Sequence, residues 1–238
     1  MGETDQNGLL ALLWGTSREP TRGPKPTLTV ERIARTAVEI ADAEGIDAVS
    51  MQRVATAVGV TKMALYRYVA GKDQLVAVMV EEAWSDPPDL APIAAGWRPR
   101  VEEFARRLEE TWGRHPWLPW VTLGDRVMGP REAAWAECAI TALADTPLTN
   151  QERMDAAFLI FGHIRNTQST NTAGTQPWNA GNARPALERL LREHASRYPA
   201  LIATLDSPAP GHADATGRRF GLTRILDGLQ VLITDRSP

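Results

Sequence analysis

A single cysteine, Cys138, in 238 residues leaves no framework of disulfides within the chain and fits a reducing compartment. No apolar run approaches the ~18 residues of a membrane-spanning helix. The stretch GLLALLWG near the N-terminus is too short, and lacks the basic flank, for a secretion signal. A soluble, intracellular protein without membrane contact is therefore expected. Sustained alternation of apolar and polar residues is missing, so no strands are expected. The four histidines, His115, His163, His194 and His212, are scattered, with no i, i+4 pair and no HExxH pattern. Cys138 in WAECAITA reads as part of a buried helix stripe without a nucleophile signature. GDRVMGP has two glycines but no phosphate-loop pattern. Neither metal, cofactor nor enzymatic chemistry is expected. A formal net charge of -3 gives no chain-wide basic field, so any attraction to nucleic acid has to be local.

What is present reads as helix. Hydrophobic residues make up 43% of the chain, enough to fill one large core or two modest ones. Residues 1–28 form an arm; within it GTSREPTRGPKPTL (15–28) holds three prolines, two glycines and the basic residues Arg18, Arg22 and Lys25, a flexible composition. From Thr29 onward, Val30, Ile33, Ala34, Ala37, Ile40 and Ala41 make one apolar helical stripe. Thr29 is placed to cap it and Gly45 to end it. Ser50 caps a short helix ending near Val58, and Thr61 caps the next, Lys62 to about Tyr68. A longer helix opens at Gly71 and runs to Trp84, where SDPPD breaks it. Further helices are expected from Pro99 to about Arg114, 130 to 144, about 150 to 168, 186 to about 197 and 216 to 234. NTQSTNTAGTQPWNAGN (166–182) reads as a polar loop.

Two short helices joined through Ala55-x-x-x-Gly59 mark a helix-turn-helix. Ala55 is small enough for the second helix to cross closely, and Gly59 adopts a turn conformation that a Cβ resists. Val54, Val58, Val60 and Leu65 should face inward against Ile40 and Leu75. Lys62, Met63, Ala64, Tyr66 and Arg67 are then left outward, where a major groove would lie. Between residues 50 and 80, Arg53, Lys62, Arg67 and Lys72 face one acid, Asp73, a local balance of +3 that attracts phosphate irrespective of sequence.

AEGIDAVSMQRVATAVGV followed by TKMALYRYVAGKDQL resembles the DNA-binding domain of the TetR family of bacterial repressors, over residues 29 to about 84. Arg67 departs from the aromatic or neutral residue of several members, and Tyr68 from a common His. The resemblance implies an all-α fold: a three-helix helix-turn-helix domain (29–84) and a larger helical domain (97–238) that binds an effector and dimerises. It implies base contacts by Gln52, Lys62, Met63, Ala64, Tyr66 and Arg67, and phosphate contacts by Ser50, Arg53, Thr61, Tyr68 and Lys72. In Arg22 and Lys25 it offers an arm for a neighbouring groove or backbone. Partners are then double-stranded operator DNA, a small-molecule effector and a second copy, paired through the helices near 150–168 and 216–234. The place of work is the bacterial cytoplasm, on the nucleoid.

Six of the eight tryptophans fall after residue 96, which suits a flat, apolar effector. Trp112, Trp117, Trp120, Phe158, Phe161 and His163 are the candidate lining, with RHPWLPW bordering the cavity. The competing class is a helical scaffold using the helix-turn-helix as a fold element alone. Salt-dependent binding to duplex DNA separates the two.

Overall fold

The computed structural model describes residues 3–15, 28–94, 96–173, 184–206 and 213–236, which contain α-helices and no strand. No helix among them is long and apolar enough to cross a membrane. The chain divides into two compact units, Met1–Ala157 and Phe158–Pro238, with the boundary inside one long helix rather than in the 85–96 segment.

The first unit opens with a correction. Part of the expected flexible arm is helix α1, Glu3–Leu13, which packs on the fifth helix. Leu9 is buried there, and the Trp14 indole donates to the Met128 carbonyl at 3.1 Å. An apolar turn of helix can bury a leucine without help from the Pro/Gly-rich segment beyond it. Arg22 and Lys25 lie outside the described residues.

Next in the chain come α2 (Val30–Glu44), α3 (Met51–Val58), α4 (Lys62–Leu65) and α5 (Lys72–Ala83). Their cores are Ile33, Ala37, Val54, Ala55, Leu65, Leu75 and Met79, all fully buried. Ile40 and Val60, expected to be interior, are half-buried. α6 (Trp97–Arg114), α7 (Leu118–Val121) and α8 (Pro130–Thr141) complete the unit with the start of α9 (Asn150–Ala173). α9 begins with the reciprocal cap Thr149 and Glu152: Glu152 N donates to Thr149 Oγ1 at 3.3 Å and Thr149 N to Glu152 Oε2 at 2.8 Å.

α5 is tied to α6 and α8 through its C-terminal end. Trp84 sits there among Trp112, Trp135 and, through Trp135, Phe104, with ring centroids 5.4 to 6.1 Å apart. The tilted, offset pairing suits the ring quadrupoles. Arg131 donates to the carbonyls of Glu81 and Glu82, closing the negative end of the helix. The Trp135 indole donates to Ser85 O at 2.7 Å. Cys138, expected to be buried, is half-buried, with its thiol on the Pro88 carbonyl. Desolvation pushes that thiol up to about 11.

The second unit holds the rest of α9, then α10 (Arg184–Glu193), α11 (Pro199–Asp206) and α12 (Ala213–Arg236). α9 runs to Ala173, beyond the loop expected from Asn166, because its backbone bonds outweigh the weak helical preference of Asn and Thr. The helix expected over 186–197 stops at Glu193 and gives way to a 3-10 turn, Ala195–Arg197. α11 was not expected: PALIATLD is too short for its apolar pattern to register.

Candidate nucleic-acid interface

Each piece of the helix-turn-helix is fixed by local chemistry. Thr29 Oγ1, Ser50 Oγ and Thr61 Oγ1 accept from the backbone N–H of Arg32, Arg53 and Ala64, each at 3.2 Å. Each cap satisfies one of the unpaired donors at a helix start. α3 ends at Gly59, whose φ of 78° lies in the left-handed region. The Val60 N–H reaches back to Ala55 O at 2.9 Å and that of Gly59 to Thr56 O at 3.2 Å, the paired closure of a Schellman motif. A side chain at 59 would be strained by the backbone alone, since open space surrounds the position.

The recognition segment is shorter than expected. Regular helix covers Lys62–Leu65, and residues 66–68 continue as tightened turns, with Arg67 N on Ala64 O and Tyr68 N on Leu65 O. Leu65 and Val69, which flank these turns, are both fully buried. Gln74 Oε1 accepts from Ala70 N at 2.8 Å and fixes the turn into α5.

This arrangement puts the predicted side chains on the surface. Gln52, Arg53, Lys62, Met63, Tyr66, Arg67 and Lys72 are exposed, while Ala64 and Tyr68 are half-buried. Met63 is 74% and Tyr66 39% exposed, which for large apolar surfaces implies a use beyond the chain's own core. The Lys62 ammonium lies 5.9 Å from the centre of the Tyr66 ring, a spacing at which cation and ring attract. Arg53 is paired with Glu44 on α2. Ser50 and Thr61 each use an oxygen lone pair in capping, so their hydroxyl hydrogens remain to be donated.

A contact invisible in the sequence joins the base of this domain to the corner after α6. Asp42 Oδ1 accepts from the Trp117 indole at 2.7 Å, and the His115 Nδ1 lies 3.0 Å from both carboxylate oxygens. Asp42 stands 75 residues from Trp117, and neither carries a pattern announcing the pairing.

The residues expected to line an effector cavity are divided between the two units, Trp112, Trp117 and Trp120 in the first and Phe158, Phe161 and His163 in the second. Trp112 and Trp117 are buried in the first unit, Trp112 within the aromatic cluster and Trp117 on Asp42. Trp120 is 38% exposed and Phe158 63%, and Phe161 is half-buried. His163 joins α9 to α12: its Nε2 donates to the Arg218 carbonyl at 2.9 Å. A Cβ at Gly221 would strike that ring. The Trp112 and Trp117 indoles fill core in the first unit, and the His163 imidazole is held by a backbone carbonyl in the second. A cavity of about 410 Å³ does exist elsewhere, between α1, α5 and residues 121–129, with walls that include Leu9, Val76, Val80, Glu81, Val121 and Arg126. None of the six expected residues lines it. Among the described residues no three His, Cys, Asp or Glu side chains gather as a metal site requires.

Comparison with known proteins bears on both halves of the chain. Residues 33–79 match the family described as bacterial regulatory proteins, tetR family, and residues 91–233 match the tetracyclin repressor-like C-terminal domain. The HTH-type transcriptional repressor DrrR1 of Streptomyces coeruleorubidus is 37% identical, over 99% of this chain and 89% of that protein. An HTH-type transcriptional regulator of Saccharopolyspora erythraea is 26% identical, over 86% of this chain and 85% of that protein. Streptomyces coelicolor ActR, solved with actinorhodin, has the same fold, with a TM-score of 0.72 at 24% identity over 90% of this chain and 100% of that one. A capped helix-turn-helix with an exposed cationic and aromatic edge, and sequence matches spanning both halves, lead to one conclusion: the chain belongs to the TetR family of bacterial transcriptional regulators, which are not enzymes.

Proposed function

We propose that the chain represses transcription as a homodimer on a palindromic operator and leaves it when a small apolar or aromatic effector binds. Residues 29–84 serve as the DNA-binding domain and 97–238 as the effector and dimerisation domain. The observation that carries the reading is the exposed edge of Lys62, Met63, Tyr66 and Arg67, with Ala64 half-buried among them, on a closely capped helix-turn-helix. With Gln52, these six read bases: Arg and Lys suit guanine, Gln adenine, and Met and Ala the thymine methyl. Ser50, Arg53, Thr61, Tyr68 and Lys72 hold phosphates and set register. Arg53 exchanges Glu44 for a phosphate on binding. The protein then works in the cytoplasm, on the nucleoid.

A dimer is needed because one helix-turn-helix covers too few base pairs, and the two recognition segments must stand about 34–36 Å apart, one DNA turn. Phe158 and Leu159 on α9, and Phe220 and Val231 on α12, are exposed apolar side chains that a second copy would cover. ActR holds actinorhodin, which supports a small-molecule effector here. Such a molecule acts only through its difference in affinity between the DNA-bound and released arrangements.

The test is selection from random duplex DNA by the full-length protein, then anisotropy titration of the winner at several salt concentrations. A palindrome with a steep salt slope is expected; failure to enrich any sequence leaves only the scaffold role. Tyr66→Ala is expected to cost about 1–3 kcal/mol of operator binding and leave random-DNA affinity and dimerisation unchanged. Full operator selectivity in that variant would remove Tyr66 from the reading edge. Lys72→Ala is expected to weaken all DNA alike and lower the salt slope by about one. An unchanged slope would take Lys72 out of the phosphate contacts.

A further inference from the structure

We propose that His163 is a positioning residue for dimerisation: seated over Gly221 and bonded to the Arg218 carbonyl, it fixes α12 against α9 and holds the apolar side chains that a second copy would cover in one arrangement. The inference deepens the proposed dimer and rests on that reading.

Apart from proline, glycine is the poorest residue for a helix interior, so one found there needs a reason. Gly221 lies inside α12, and its backbone is not in the left-handed region, so no turn requires it. What requires it is room. A Cβ at Gly221 would strike the His163 imidazole, whereas a Cβ at Gly162 in α9 or Gly228 in α12 would meet open space.

The ring is held in that gap. Its Nε2 donates to the Arg218 carbonyl at 2.9 Å, and a helical carbonyl has a second lone pair for such a donor. Arg218 and Gly221 are three residues apart, so carbonyl and gap share one face of α12. The Arg218 guanidinium returns to α9, donating to Gln168 Oε1 at 3.2 Å. Ile160 and Ile164 on α9 and Leu226 and Ile233 on α12 are buried, but apolar burial has no direction and lets helices slide. Hydrogen bonds have direction.

This lock stands beside the surfaces it aligns. Leu159 is one turn before His163 on α9, and Phe220 adjoins Gly221 on α12; they are 53% and 66% exposed. A shift of α12 that made room for a Cβ would move Phe220 relative to Leu159. A two-fold interface repeats each displacement on both copies, and its packed centre tolerates little.

The test is a double-variant cycle on the full-length protein, with the dimer constant read by sedimentation velocity and helix content by circular dichroism. Gly221→Ala is expected to weaken dimerisation at least about tenfold, within the range for coupled neighbours, and to keep its helix content, since alanine favours a helix. In a His163→Ala background the same change should alter the dimer constant less than about twofold, because no ring is left to strike. His163→Gln, whose amide still donates, should dimerise more tightly than His163→Leu, which keeps bulk and loses the donor. No loss in Gly221→Ala, or an equal loss with and without His163, overturns the proposal and leaves the dimer reading standing. Should Gly221→Ala fail to fold, the Gln and Leu variants decide, and equal dimer constants for those two overturn it. A parent chain that sediments as a monomer overturns the dimer reading and this inference together.

Discussion

The double variant Phe158→Glu/Phe220→Glu is expected to sediment as a monomer at concentrations where the parent chain is a dimer, with unchanged helix content. Phe158 is 63% and Phe220 66% exposed, so neither supports its own fold and their replacement leaves the chain's interior intact. Burying a phenyl side chain against a partner stabilises association by about 1.5–3 kcal/mol. A carboxylate in its place loses that gain and adds the cost of an unpaired buried charge at each symmetry-related position. Because a symmetric contact counts each residue twice, the combined loss exceeds what ordinary dimers can absorb. Operator binding should weaken with it by about 10²–10⁴-fold, since the second half-site is then no longer held at high effective concentration. A double variant that stays dimeric by sedimentation velocity would move the interface away from these two helices.

Trp84→Ala is expected to destabilise the protein by about 3–5 kcal/mol, the range for emptying a buried aromatic site. For a chain of this size that lowers the calorimetric midpoint by roughly 6–20 °C at fixed protein concentration. Trp84 is 1% exposed and touches Trp112 and Trp135 on two other helices, so alanine opens a cavity where three elements meet. Trp84→Phe should cost far less. The Trp84 indole N–H is buried without a partner, and phenylalanine removes that unsatisfied donor while keeping most of the ring. Scanning calorimetry of both variants decides it. Equal losses would mean that the indole edge, rather than aromatic volume, holds α5 to α6 and α8.

The local features were legible because their causes are local. The Thr29, Ser50 and Thr61 caps and the left-handed Gly59 each depend on residues within five positions, and each appears as read. The helical stripe of α2 and the inward set of Val54, Val58 and Leu65 come from a period of 3.6 residues. Elements with weak or short patterns did not announce themselves: α1 inside an arm, α11 over eight residues, and the last turns of α9 through Asn, Thr and Ser.

Residue type alone therefore determined the fold class, the family and the edge that faces outward at residues 61–68, because backbone caps and periodic burial are set by near neighbours. Tertiary structure decided the rest. Tryptophans that suited a ligand wall became core at Trp112 and Trp117, since an indole satisfies a packing gap and a ligand site equally well by composition. His163 went to the Arg218 carbonyl, and Asp42 met Trp117 across 75 residues. The Glu81 carboxylate came to accept from the Arg131 backbone N–H 50 residues away, because only the packing of α5 against α8 brings the two together.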